Sequence, residues 1–172
     1  MSRTPVPGVP DLSFARRVHV VAIGGAGMSA IATVLVEQGH QVSGSDQVAG
    51  PAIERLRGLG VRVHVGHDAA HLGDAELVVV STAVPADNVE VLAARDRHIP
   101  VLRRIDLLPA LAARQPFLSV SGTHGKTTTT SMLATALVAA GEEPSFLIGA
   151  EVASLGGAAA HGSGRWFVIE AD

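Results

Sequence analysis

The segment from Ser121 to Thr128 reads S-G-T-H-G-K-T-T and contains Lys126, the only lysine of the chain. It directly follows the apolar run F-L-S-V at positions 117–120. Glycines let a backbone curl so that several N–H groups point inward, a lysine reaches the outer phosphates, and a Ser or Thr hydroxyl ligates Mg²⁺. Every other fixed positive charge is an arginine, which indicates that a compact ammonium is needed here. The pattern predicts a phosphate-binding loop that takes ATP.

The predicted loop is a shortened variant of a known pattern. The full motif G-x-x-x-x-G-K-[ST] requires glycine at position 120, where this chain has Val120. A Gly/Thr-rich surface turn before an ordinary helix is the alternative, and His124 could either approach phosphate or pack beside the turn. Because threonine has a low helix propensity, interactions with other parts of the chain or with a ligand are needed to stabilise the helix start. The predicted nucleotide ligands are Gly122, Thr123, His124, Gly125, Lys126, Thr127 and Thr128.

A second glycine-rich turn lies near the start of the chain, after the apolar run 18–23. Gly25, Gly27 and Ala30 satisfy the G-x-G-x-x-G/A spacing, and Asp46 follows at the end of the next predicted strand, where a ribose hydroxyl is commonly bound. The turn predicts a diphosphate linked to a nucleoside, which fits either NAD or a UDP-sugar; glycines present only for tight packing are the alternative. The residues predicted to bind this ligand are Gly24, Gly25, Ala26, Gly27, Met28, Ser29 and Asp46.

Composition excludes several classes of protein. The net charge of −3, without a basic stripe, argues against nucleic acid as a partner. The absence of cysteine excludes disulfide scaffolds, thiolate zinc sites and cysteine nucleophiles. No segment has the pattern of a signal peptide or a membrane span, so a cytoplasmic protein without membrane insertion is expected.

Short apolar runs alternate with segments of helical length, which predicts an α/β fold with a largely parallel sheet. With 47% apolar and 3% aromatic residues, its core is expected to consist of Ala, Val, Leu and Ile. The Gly/Ala-rich stretch 151–165 is predicted to be a mobile loop. Arg103 and Arg104 are expected to be solvated helix charges. Strands are predicted at 18–23, 41–43, 61–65, 77–81, 100–102, 117–121, 145–148 and 166–169, and helices at 27–38, 52–59, 88–96, 104–113 and 126–140.

The two glycine turns belong to different predicted domains. We expect residues 1–115 to form a Rossmann-like domain that binds a UDP-sugar, and residues 116–172 to begin a P-loop ATPase α/β domain. The boundary is placed near Arg114, Gln115 and Pro116. The second segment has too few strands for a complete nucleotide-binding sheet. The sequence is therefore interpreted as an N-terminal fragment of a longer enzyme.

Taken together, the motifs resemble the beginning of a Mur ligase, and the G-G-A-G-M-S turn points to the alanine-adding branch of that family. The G-T-H-G-K-T-T-T-T block is highly specific to these ligases. The segments that carry the resemblance span nearly the whole chain: A-I-G-G-A-G-M-S at 22–29, S-G-S-D at 43–46, G-H at 66–67, S-T-A-V at 81–84, G-T-H-G-K-T-T-T-T at 122–130 and E-A-D at 170–172.

The resemblance implies a reaction, its substrates and some site residues. ATP would phosphorylate the carboxylate of UDP-N-acetylmuramate, and the amine of L-alanine would attack the acyl phosphate, a step of peptidoglycan synthesis. Lys126 and Glu170 would be catalytic, with Thr127 and Glu170 as Mg²⁺ ligands, although an acid at a strand end could also face solvent. His67 would line the uridine pocket; a structural or exposed loop histidine is the alternative.

Three other functions are compatible with parts of the sequence. Another Mur-type ligase, such as the murein tripeptide-recycling enzyme, shares the same motifs. A NAD-dependent oxidoreductase domain explains the first turn but leaves Lys126 and its loop without a role. A non-catalytic module that senses nucleotides is the third. Affinity for UDP-N-acetylmuramate relative to NAD distinguishes the ligases from the oxidoreductase.

Overall fold

The computed structural model describes residues 11–113 and 115–171. Predictions that concern positions 1–10, Arg114 or Asp172 lie outside these residues. The described chain forms two compact units, one up to Leu111 and the other from Ala112 onward.

The first unit is a five-stranded parallel sheet flanked by helices. Its strand order is β3-β2-β1-β4-β5, so the order reverses beside β1, where α/β folds commonly place a ligand at the carboxyl ends of the strands. The predicted Rossmann-like architecture is confirmed. The elements are β1 (Arg17–Val21), α1 (Ala26–Glu37), β2 (Gln41–Asp46), α2 (Pro51–Gly58), β3 (Arg62–Val65), a 3₁₀ turn (Ala69–Leu72), β4 (Leu77–Val80), α3 (Val89–Asp96), β5 (Val101–Arg103) and α4 (Arg104–Leu111).

Aliphatic side chains fill the core of this unit, as the composition predicts. Val18, Val20 and Val21 of β1 are buried, because the central strand of a parallel sheet is covered on both faces. Helix α1 turns Ile31 and Leu35, which are also fully buried, toward the interior. This packing fixes the start of α1 next to the carboxyl end of β1.

The second unit is a four-stranded mixed sheet in the order β6-β9-β7-β8. Strands β6 and β7 both pair in parallel with β9, and β8 pairs antiparallel with β7. The elements are β6 (Phe117–Val120), α5 (Lys126–Ala139), β7 (Ser145–Val152), a 3₁₀ turn (Ala153–Leu155), β8 (Gly157–Ala160) and β9 (Phe167–Glu170).

The prediction of a mobile loop at 151–165 is wrong for its first ten residues. There the chain completes β7, turns at Gly156 with a φ of 76°, and returns as β8. Ala160 lies opposite Phe146 and Ala159 opposite Leu147, so small side chains face large ones across the ladder. Low strand propensity is overridden here by pairing with β7.

Both helices that follow a glycine-rich turn begin at a glycine. Gly25 is the N-cap of α1, and Gly125 is the N-cap of α5 with a left-handed φ of 76°. Neither residue has a side chain that could cap the first-turn N–H groups, and a helix start without such a cap is a favourable place for an anion. Within the ranges described, no helix combines the length and apolar character that a bilayer crossing requires.

Candidate functional site

The glycine turn after β1 is held by Asp46 at the end of β2. The N–H of Gly24 donates to Asp46 Oδ2 at 2.8 Å, and the N–H of Val48 donates to Oδ1 at 3.3 Å. A Cβ on Gly24 would lie 2.9 Å from Oδ2, so a side chain at this position would push the Asp46 carboxylate aside. Ala22, just before the turn, has a left-handed φ of 59°, which is uncommon for alanine. The predicted acid therefore lies beside the predicted turn and shapes its backbone.

Arg104, at the start of α4, lies against the same turn. A Cβ on Gly27 would come within 2.3 Å of its Nη1 atom and 3.0 Å of its Cζ atom, so the guanidinium packs onto the glycine. Arg104 is half-buried, whereas its neighbour Arg103 is exposed and bonds Asp106. The expectation of a solvated charge holds for Arg103 and is wrong for Arg104, because the absent side chain of Gly27 leaves room for it.

His67 lies just after β3 and is bound to a buried carboxylate. Its Nδ1 atom is 3.0 Å from Glu90 Oε2 and 3.0 Å from Ser45 Oγ. The Ser45 hydroxyl donates to the same carboxylate oxygen at 2.5 Å, and the N–H of Asp68 donates to Oε1 at 3.4 Å. Glu90 is fully buried in the first turn of α3, where its charge is favoured by the helix dipole.

Two further histidines approach the Glu90 carboxylate. His71 Nδ1 is 3.1 Å from Oε1, and His19 Nε2 is 3.6 Å from the same oxygen. Burial raises the pKa of Glu90, but His19, Ser45 and His67 outweigh it and lower the pKa from 4.5 to about 2. The carboxylate is therefore ionised at neutral pH in spite of its burial. His64 stacks on His71 with ring centroids 4.1 Å apart.

The predicted phosphate loop leads directly into α5. Lys126 is the first residue of the helix, and its ammonium donates to the carbonyl of Gly122 at 2.9 Å, back across the turn. Gly122, Thr123, His124, Gly125 and Thr128 are all exposed along the loop and helix start. Thr130 and Ser131 donate to the carbonyls four residues earlier, Lys126 and Thr127, at 2.8 and 2.6 Å.

Glu170 joins the phosphate loop to the neighbouring strands. It is the last residue of β9 and is 4% exposed. Its Oε1 atom accepts from the Thr127 hydroxyl at 2.9 Å, and its Oε2 atom accepts from the N–H of Gly149 at 2.7 Å. This contact supplies the stabilisation that the threonine run requires, because it ties the first turn of α5 to the sheet.

The oxygen atoms of Thr127 and Glu170 form a donor set that fits Mg²⁺. This ion takes oxygen ligands and usually binds through one or two protein groups together with substrate phosphates. Among the residues described, no group of three or more His, Cys, Asp or Glu side chains could hold a metal ion. The two oxygen-bearing side chains, Thr127 and Glu170, fit that preference of the ion.

Comparison with known proteins identifies the family. The profile described as the Mur ligase family, catalytic domain, matches residues 17–116, which is more than half of the chain. The chain belongs to the Mur ligase family. The resemblance inferred from the two glycine turns is thereby confirmed.

Curated relatives with high similarity to this chain are named UDP-N-acetylmuramate–L-alanine ligase. The protein from Methylibium petroleiphilum is 50% identical over 157 residues, 91% of this chain and 34% of that protein. The protein from Sinorhizobium medicae is 48% identical over 155 residues, 90% of this chain and 33% of that protein. The chain thus spans about a third of the length of these relatives.

Solved Mur ligase structures share the fold. The UDP-N-acetylmuramate–alanine ligase MurC from Thermotoga maritima superimposes with a TM-score of 0.83 at 33% identity, over 90% of this chain and 37% of that one. A UDP-N-acetylmuramate:L-alanyl-γ-D-glutamyl-meso-diaminopimelate ligase from Neisseria meningitides gives a TM-score of 0.84 at 34% identity, over 92% of this chain and 53% of that one. The fold is therefore shared by two ligases whose names give different added groups, alanine in one and a tripeptide in the other.

Sequence reasoning missed three residues that the structure brings to these sites. Glu90 carries no motif, and its partners come from β1, β2 and the segment after β3. Arg104 was distinguishable from Arg103 only by the packing against Gly27. Gly149 lies inside a strand, where a lone glycine does signal a close approach, here that of Glu170.

Proposed function

We propose that the chain carries the UDP-sugar site and the ATP phosphate loop of a ligase that joins L-alanine to UDP-N-acetylmuramate. The observation that carries the proposal is the hydrogen bond between Thr127 and Glu170 at the start of α5, beside Lys126. A hydroxyl, a carboxylate and a lysine therefore lie at the N-terminal end of α5, which is the positive end of its dipole. Relatives named as L-alanine ligases, at 48 to 51% identity, support the choice of substrates.

In this proposal the residues of the second unit neutralise the negative charge that phosphoryl transfer brings together. A γ-phosphoryl group and a carboxylate are both anions, so bringing them together requires positive groups aimed at the charge that develops in transfer. Lys126 supplies an ammonium on a flexible stem, and the first-turn N–H groups of α5 add the helix dipole. Mg²⁺, when bound by Thr127 and Glu170, would neutralise charge on the phosphate oxygens.

The residues of the first unit bind the nucleotide half of the substrate. The diphosphate of a UDP-sugar meets the N-terminus of α1 at the turn from Gly24 to Ser29. Arg104 adds a fixed cation at Gly27, in a chain whose net charge is −3. Asp46 and His67 are the proposed contacts for ribose and uridine.

Two alternatives have less support. A ligase that recycles the murein tripeptide is not favoured, because the relatives named as L-alanine ligases are 48 to 51% identical to this chain, whereas the Neisseria enzyme is 34% identical. An oxidoreductase domain that uses NAD is not favoured, because it assigns no role to the contacts among Lys126, Thr127 and Glu170. Product analysis with L-alanine and with the tripeptide as competing acceptors separates the two ligases.

The proposal is tested in a ligase that continues this chain to the length of its relatives. We expect Lys126→Ala to lower turnover roughly 10²-fold or more, the usual loss when one preorganised charge is removed. The matched control is Arg165→Ala, which removes an exposed cation of the same unit that lies over Trp166. Near-normal ligation by the Lys126 variant, measured as release of phosphate that depends on L-alanine, would refute the proposal.

A further inference from the structure

The Glu90 carboxylate has no role in the proposed chemistry, yet Ser45, His67, His71 and the N–H of Asp68 all lie within hydrogen-bond distance of it. It is fully buried, and the side chain of Asn88 caps the helix that carries it by accepting from the N–H of Glu90 at 2.9 Å. Its two oxygens accept hydrogen bonds from Ser45 of β2, from His67 after β3 and from His71 of the following 3₁₀ turn. A buried charge with this many partners is fixed in place.

The protons in this cluster can be assigned from the chemistry of the partners. An ionised carboxylate only accepts, so Nδ1 of His67, at 3.0 Å, must carry a proton, and so must Nδ1 of His71, at 3.1 Å. Ser45 uses its hydroxyl proton on Oε2, so its oxygen can only accept from His67. A neutral imidazole has one N–H, which leaves Nε2 of His67 as an acceptor.

We propose that Glu90 is a positioning residue that holds His67 in the Nδ1–H tautomer, so that Nε2 accepts a hydrogen bond from an N–H or O–H of the bound nucleoside. The His67 side chain keeps 14% of its surface exposed, whereas Glu90 has none, so the histidine is the member of the pair that a ligand can touch. The binding half of this proposal rests on the proposed function. The tautomer half does not.

Glu90→Gln should reverse the tautomer. A glutamine offers one acceptor oxygen and one NH₂ group that only donates, and the backbone N–H of Asp68 faces Oε1 and can also only donate. The amide oxygen is therefore expected on that side, which turns the NH₂ group toward Ser45 and His67. His67 must then accept at Nδ1 and carry its proton on Nε2, so the ring presents a donor where the original chain presents an acceptor.

Nitrogen NMR of the histidine-labelled chain measures the tautomer directly, at a pH high enough that further addition of base no longer moves the His67 signals. We expect His67 in the Nδ1–H form in the original chain and in the Nε2–H form in Glu90→Gln. The matched control, Glu76→Gln, removes a carboxylate of the same unit that bonds Arg17, and should leave His67 unchanged. An Nε2–H form in the original chain, or no change in Glu90→Gln, overturns the proposal. If that variant does not fold, the result for the original chain decides.

Calorimetry with UDP-N-acetylmuramate separates positioning from simple structural support. If Glu90 acts through His67, Glu90→Gln lowers affinity in the original chain and has little further effect once His67→Ala is present. Fully additive losses would overturn the positioning role. If the chain does not bind the UDP-sugar at all, the proposed function fails and so does the binding half of this inference, whereas the NMR result still decides the tautomer.

Discussion

Arg103 and Arg104 are adjacent arginines with different surroundings, which makes them a natural pair for a test. Only Arg104 packs on Gly27, while Arg103 bonds Asp106 at the surface. We expect Arg104→Gln to weaken binding of UDP-N-acetylmuramate roughly tenfold, the scale of one hydrogen bond to a charged group. Arg103→Gln should have little effect. Titration calorimetry at two ionic strengths measures both; equal losses in the two variants would contradict a specific role for Arg104.

Gly149 lies so close to the Glu170 carboxylate that a side chain there would clash with it. A Cβ there would lie 2.7 Å from Glu170 Oε2 and 2.9 Å from Oε1, so Gly149→Ala must displace the carboxylate from Thr127. We expect turnover of the extended ligase to fall at least tenfold. Gly157→Ala is the control, because its Cβ would meet nothing closer than 3.9 Å. Unchanged Mg²⁺ dependence and turnover in Gly149→Ala would remove Glu170 from the metal site.

At the scale of elements, helix α3 is tied to the sheet by the ionised Glu90. Its pKa is about 2 in the folded chain, below the ordinary 4.5, so between these values the unfolded chain binds the proton more strongly. Stability must therefore fall as pH is lowered through this range. The contribution is on the order of 3 kcal/mol, at about 1.4 kcal/mol per pKa unit.

The test compares unfolding by denaturant of the original chain and Glu90→Gln at several pH values. The titratable groups that face the carboxylate are His19, His67 and His71, with His64 stacked on His71 behind them. The slope of the unfolding free energy against pH should be shallower in the variant. Equal slopes would mean that Glu90 is not stabilised in its charged form.

The elements that the sequence predicted best are those that a strong local pattern defines. Strands such as β4, with its unbroken L-V-V-V run, and helices that follow glycine turns were found within a few residues of their bounds. Strand β8 was missed because its glycine and alanines are weak strand formers that depend on pairing with β7. Local pattern identifies an element, whereas a partner distant in sequence can create one.

The same limit applies to the candidate site. The spacing of residues along the sequence predicts Lys126, Thr127 and the turn from Gly24 to Ser29, because a phosphate loop is a local structure. Glu90 and Arg104 depend on contacts between residues 19 to 77 positions apart. Neither composition nor periodicity encodes such contacts. The placement of Glu170 beside Thr127 was predicted from family resemblance, and the hydrogen bond between them is the structural observation that supports it.

In the whole molecule, the two proposed sites belong to different units. The first unit contains the complete glycine turn, Asp46, His67 and Arg104, so we expect the 172-residue chain to bind a UDP-sugar without ATP. The second unit has four strands, and the chain spans about a third of the length of its relatives. We therefore expect no ligated product from this chain alone, as measured by chromatography after incubation with ATP, Mg²⁺ and L-alanine.

The proposed function depends first on the glycine turn after β1 binding a UDP-sugar. Calorimetry of this chain with UDP-N-acetylmuramate and, separately, with NAD measures that preference. We expect tighter binding of the UDP-sugar, with the difference reduced in Arg104→Gln. Tighter binding of NAD would show that this turn belongs to a dinucleotide site instead.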